Sequence, residues 1–151
     1  MKFMRNIKYW IPVILGMIFI YWMSTESFSS RSTFRIIDQI LRFLVPSLSP
    51  KEIVMINGVI RKLAHVFEYM MLGILLFRAF RAGSYERRWW RWAGYSLGVV
   101  VLYAMIDEFH QLHVAMRTAS LFDVGYDTLG GILGQLLSII YYDRKRPELK
   151  N

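Results

Sequence analysis

Four long apolar runs alternate with polar stretches along the chain, and a shorter run between the first two carries its apolar residues at helical spacing. Tyr9–Met23 (YWIPVILGMIFIYWM) is apolar throughout, with Pro12 near its start, where a proline is tolerated. Ile60–Phe80, Ala93–Gln111 and Phe122–Tyr142 follow. A helix needs about 20 apolar residues to cross the roughly 30 Å hydrocarbon layer of a bilayer. The pattern therefore predicts spans at about 8–23, 60–80, 93–111 and 122–142. In Phe34–Val45, Ile36, Ile37, Ile40, Leu41 and Leu44 share one helical face while Arg35, Asp38 and Arg42 lie elsewhere. This predicts an amphipathic helix over 34–45, too short to span, lying on a membrane surface or capping a bundle. Pro46 and Pro50 are expected to end it. The expected fold is all-α: a polytopic membrane protein, with a four-transmembrane-helix bundle and an extra amphipathic surface helix on the extracytoplasmic side. It forms one domain over 1–151.

Charge sets the orientation. Lys2, Arg5 and Lys8 precede the first run, which could thus serve as a signal peptide. Flanking pairs Tyr9-Trp10 and Tyr21-Trp22 resemble interfacial anchors, and no clear small-x-small cleavage site follows, so a retained helix is expected. Arg81–Trp92 mixes Arg87, Arg88 and Arg91 with Trp89, Trp90 and Trp92, a cytoplasmic-interface signal, and Asp143–Asn151 is a basic tail. Both termini are therefore expected inside. Arg31, Arg35, Arg42 and Lys51 on the outer Ser24–Gly58 segment run against the bias.

Composition narrows the classes further. The chain is 55% hydrophobic and carries a formal net charge of +8. In so apolar a chain, that charge is better explained by the cytoplasmic excess of Lys and Arg than by nucleic acid, for which no binding signature is present. With no cysteine, disulfides, thiolate metal sites and a cysteine nucleophile are excluded.

Polar residues interrupt the apolar runs at matching places. Lys62, His65, Glu68 and Tyr69 open the second span, Asp107, Glu108, His110 and Gln111 close the third, and Arg117, Asp123 and Asp127 lead into the fourth. With the termini inside, all fall at one level, within roughly 10 Å of the outer interface at the helical rise of about 1.5 Å per residue. Charged residues at a bilayer centre cost roughly 2.5–3.5 kcal/mol each on insertion scales, so they face a bundle interior or a wet cavity and mark function by default. Gly94, Ser96, Gly98 and Ala104, and Gly130-x-x-x-Gly134 with Gly131, are expected to be helix-packing faces.

Three spaced blocks carry a family resemblance: Arg61-Lys62-x-x-His65-x-x-Glu68-Tyr69-x-x-Leu72-Gly73, then Tyr103-Ala104-x-x-Asp107-Glu108-x-His110-Gln111, then Arg117-x-x-Ser120-x-x-Asp123-x-x-x-Asp127-x-x-Gly130. In this order they resemble the VanZ-like family, with Ala115 and Met116 standing where members often have Pro-Gly. The resemblance implies a small four-helix protein of the bacterial cytoplasmic membrane, linked through the founding member to low-level resistance to teicoplanin.

Two functional readings follow. In the first, the site processes a lipid-linked or surface substrate, with His65, Glu68, Asp107, Glu108 and His110 as catalytic candidates. Either histidine can exchange protons near neutral pH while a carboxylate orients its ring. Lys62, Tyr69, Gln111, Arg117, Asp123 and Asp127 are the substrate-binding candidates, the two cations suiting a phosphate. A divalent metal ion is a possible cofactor, with His65-x-x-Glu68, or Glu68 with Asp107 or Asp123, as ligand sets; no HExxH-type motif is present. In the second reading, the site binds without chemistry a membrane lipid, a lipid-linked cell-wall precursor or an amphiphilic glycopeptide. The bland alternative is a set of ion pairs that lock helix ends together.

Overall fold

Five helices and no strand make up the described part of the computed structural model, residues 2–25, 30–82, 89–112 and 120–145. They are α1 (Lys2–Met23), α2 (Ser30–Leu44), α3 (Pro50–Arg81), α4 (Trp89–Gln111) and α5 (Leu121–Arg144). Arg117 and His113, the Arg87-Arg88 pair and the basic tail from 146 onward lie outside the described residues.

Local chemistry explains the boundaries. Ser49 caps α3: its hydroxyl accepts the Glu52 N–H while the Glu52 carboxylate accepts the Ser49 N–H, a reciprocal pair of bonds that satisfies two orphan donors. Pro50 sits in the first turn, where its missing N–H costs nothing, so it opens a helix rather than only ending the one before. As a result α3 starts at Pro50, upstream of the span expected from residue 60, and reaches 32 residues. It stops at Ala82, whose left-handed backbone (φ 41°) turns its N–H back onto the Arg78 carbonyl. Ser120 caps α5 by accepting the Phe122 N–H.

Residue contacts fix the helix directions. On the α3–α5 seam, His65 meets Asp127, and the bare backbones of Gly130 and Gly134 lie against the Val66 and Met70 carbonyls. Contacts advance together along both chains, so α3 and α5 run parallel. A side chain at either glycine would meet carbonyl oxygen, so only glycine permits this approach. Helix α1 runs the other way: Trp10 packs edge-on against Phe80 at 5.2 Å, Gly16 faces Leu75, and Ser24 reaches Asp107. Helix α4 is likewise antiparallel to α3, with Trp89 stacked at 6.3 Å on Phe77 and Tyr103 at 6.3 Å from Tyr69. The ends of α1 and α4 thus share a level with the start of α5 and the middle of α3.

Between these helices lies a thin core of Val13, Ile20, Tyr69, Leu72, Leu76, Val100 and Ala104. Outside it the molecule is apolar: Ile11, Ile14, Leu15, Ile18 and Phe19 of α1, Leu102, Met105 and Ile106 of α4, and Leu133, Leu136, Leu137 and Ile140 of α5 are all exposed. Helix α2 packs lightly on α3 and keeps Ile36, Ile40, Phe43 and Leu44 exposed. Among the described residues one helix, α3, is by itself long and apolar enough to cross a membrane, and Ile7–Met23 is a shorter apolar helix.

Candidate functional site

Asp107, one turn from the end of α4, is 2% exposed. Its Oδ2 accepts two hydrogen bonds of 2.9 Å, from the Ser24 hydroxyl at the end of α1 and from the Gln111 amide one turn along α4. Its Oδ1 is buried and has no hydrogen-bond partner among the described residues. The carboxylate is therefore held from one side and presented from the other.

The free side looks toward α3 and α5. His65 and Asp127 come from these two helices, which the glycine seam holds close, and His65 Nδ1 stands 3.3 Å from Asp127 Oδ1. At that distance the groups attract, yet they do not align as a hydrogen bond, and both Asp127 oxygens are without one although the residue is fully buried. His65, Asp107 and Asp127 each offer one ligand atom, and these three atoms lie within 4.8 Å of one another. Among the described residues this trio is the group of three whose ligand atoms gather, and Glu68, expected from spacing in the ligand sets, is not in it. Glu68 is half-buried on α3 and acts on His65 through its charge. A bond between i and i+3 is cheap on any helix, but three helices must pack in one rotation to bring the trio together.

Other expected residues surround this centre. Glu108 is buried, and its Oε2 accepts the Ser120 backbone N–H at 2.8 Å, tying α4 to the cap of α5. Gln111, 3% exposed, is spent on Asp107. Tyr69, one turn past His65, is fully buried; its hydroxyl has no hydrogen-bond partner and lies in electrostatic range of Asp107 and Asp127. His110 stacks obliquely on Tyr21 at 4.6 Å, and Asp123 sits half-buried in the first turn of α5. Lys62 is exposed, its ammonium 4.7 Å from the centre of the Tyr126 ring. Arg117 lies outside the described residues.

Sequence reasoning missed three contributors: Ser24, Tyr21 and Tyr126. Ser24 stood in a polar cluster read as leaving the membrane, and nothing local signals that it turns back onto a residue 83 positions away. Tyr21 and Tyr126 fit an aromatic-belt pattern, which hides any specific contact. Tyr103 also joins the cluster's lower edge, donating to the Met17 carbonyl at 2.6 Å.

A cavity among the described residues lies elsewhere. It measures about 940 Å³ and lies at the opposite end, between Tyr9, Arg78, Arg81, Tyr141, Tyr142 and Lys145. It contains none of the carboxylates or histidines described above. Cations rest on its rings, Arg81 4.0 Å from the Tyr142 centre and Arg78 5.5 Å from Tyr9, which is the chemistry of a headgroup-level anchor. Convergent polar groups, rather than volume, locate the candidate site.

A family model described as VanZ/LLP1 matches residues 9–142, from the first turns of α1 to the last of α5. No curated protein and no solved structure shows a match.

Proposed function

Since the chain belongs to the VanZ/LLP1 family, we propose that it is an integral membrane protein of the bacterial envelope. Its polar end faces outward and binds or processes a lipid-linked or anionic envelope substrate. Helices α1, α3, α4 and α5 cross the bilayer in this reading. The band of exposed isoleucine, leucine and phenylalanine around them supports it, since water does not tolerate a patch of that size on a folded protein. Helices α4 and α5 carry acids and glycines that lower their apolarity, but the acids of the trio point into the bundle. The Arg78, Arg81, Arg91 and Lys145 end then lies on the cytoplasmic side, with both termini.

The observation that carries the functional reading is the convergence of His65, Asp107 and Asp127 with carboxylate oxygens that, among the described residues, accept no hydrogen bond. A cluster kept only to lock helices would be saturated, because a half-satisfied buried network is worse for stability than an apolar one. For processing, His65 takes or gives a proton with Asp127 setting its ring, while Lys62 at the rim receives an anionic group. The family's link to teicoplanin resistance fits a ligand drawn from the outer leaflet: a membrane lipid, a lipid-linked cell-wall precursor or the amphiphilic glycopeptide. Binding without chemistry is the second reading, favoured by the exposed Lys62–Tyr126 pair, a headgroup contact that requires no reaction.

Native mass spectrometry of protein released in mild detergent, run beside Asp127→Asn and Asp107→Asn, separates these readings. Retained anionic lipid in all three, with product formed only by the parent, supports processing. Lipid lost from the variants with no product from any supports binding. Bare protein throughout, with both variants less stable to heat, overturns both in favour of a structural cluster.

A further inference from the structure

Resting on the outward site just proposed, we infer that His65, Asp107 and Asp127 bind a first-row divalent cation, of the zinc or manganese kind, which bridges the protein to an anionic group of the substrate. The chemistry of the site asks for such an ion. Asp107, Asp127 and Glu108 are all buried acids and His65 is the one basic side chain in the trio, so among the described residues an anionic ligand meets more acid than base at the centre. Buried carboxylates without compensation are costly, and an anion placed beside them more so. A bound dication reverses the sign of the site and becomes the largest local charge in it.

Geometry points the same way. The 3.3 Å approach of His65 Nδ1 to Asp127 Oδ1, close but unaligned for a hydrogen bond, is the spacing of two ligands on one ion. With bonds of about 2.0–2.2 Å, neighbouring ligand atoms stand roughly 3.0–3.5 Å apart. The trio's three ligand atoms all lie within 4.8 Å of one another, and the His65–Asp127 pair is already inside that range. Asp107 already has the support that metal ligands usually have: Ser24 and Gln111 hold Oδ2, leaving Oδ1 to coordinate. Independent of the trio, the fully buried Tyr69 hydroxyl lacks a hydrogen-bond partner beside Asp107 and Asp127, and a water or substrate oxygen on the ion would supply one. One imidazole and two carboxylates suit zinc or manganese better than the oxygen-only preference of calcium or magnesium.

The full chain in detergent is stripped with chelator, loaded with Zn²⁺ or Mn²⁺ alone, desalted, and assayed for metal content and thermal unfolding. The expected result is one ion per chain and a raised unfolding temperature with at least one of the metals. Asp127→Asn and Asp107→Asn should each weaken binding at least tenfold and lose the shift, while Lys51→Gln, exposed in the first turn of α3, keeps both. Neither metal bound by the parent, or equal binding by the Asp variants, overturns the inference. Should a variant fail to fold, manganese spin resonance on the parent decides instead: a signal lacking histidine-nitrogen coupling places the ion elsewhere and refutes the site. If no metal binds yet Asp127→Asn still loses the lipid, the metal inference fails and the outward site stands. If metal binds but lipid retention and product formation ignore the mutation, the proposed function fails instead.

Discussion

At the scale of single residues, the polar cluster divides into groups that stabilise and groups that do not. Ser24 and Gln111 share the Asp107 Oδ2 atom, so removing either leaves a buried carboxylate less well satisfied. Ser24→Ala should therefore lower stability by about 1–3 kcal/mol, the usual cost of stranding a buried polar group. Thermal unfolding in detergent checks this, and an unchanged midpoint would show that water replaces the serine. Tyr69 predicts the opposite behaviour. The Tyr69 hydroxyl has no hydrogen-bond partner among the described residues, so in metal-free protein Tyr69→Phe should be neutral or raise the unfolding temperature. Sites that trade stability for activity show this signature. A clear loss of stability in that variant would argue that the hydroxyl serves the fold.

Among the elements, the α3–α5 seam decides where His65 and Asp127 meet. Gly130 and Gly134 let the two backbones touch at Val66 and Met70, one residue beyond His65 and at the next turn. An alanine at either glycine must push the helices apart. Gly134→Ala should cost about 1–3 kcal/mol, the usual range for overpacking. It should also widen the His65–Asp127 gap and so weaken whatever the trio holds. Gly98→Ala is the matched control, because a Cβ there meets nothing within 4 Å. It should be neutral, or stabilise by up to about 1 kcal/mol through helix propensity. If both substitutions behave alike under thermal unfolding, the close approach is not what fixes the seam. The glycine pair was legible in the chain as a packing motif, but its partner helix was not. Small residues announce that a backbone comes near without naming which one.

For the whole molecule, the antiparallel and parallel contacts gather polar chemistry at one end and cations with aromatic rings at the other. Placing that axis across a bilayer makes a direct prediction. The chain has no cysteine, so a single one introduced on the surface reports its own side. Leu112→Cys, exposed at the polar end, should react with a membrane-impermeant maleimide on intact cells. Arg144→Cys, exposed at the other end, should react only after the membrane is opened. Labelling of Arg144→Cys from outside would invert the topology and put the trio on the cytoplasmic side.

By itself the sequence determined the all-helical class, the family, and the rough positions of the helices. These rest on local chemistry, such as apolar runs of helical length, capping serines and small residues at helix spacing, which acts over a few positions. It also grouped the polar residues by level, because helical rise is constant. Tertiary structure alone decided who meets whom. His65 lies against Asp127 across the α3–α5 seam, Asp107 takes its support from Ser24 at the end of the first helix, and Glu108 holds the cap of α5. Such pairings depend on the rotation of each helix about its axis and on which helices lie side by side. Both are set by the summed packing of many side chains, a property that no stretch of sequence carries by itself.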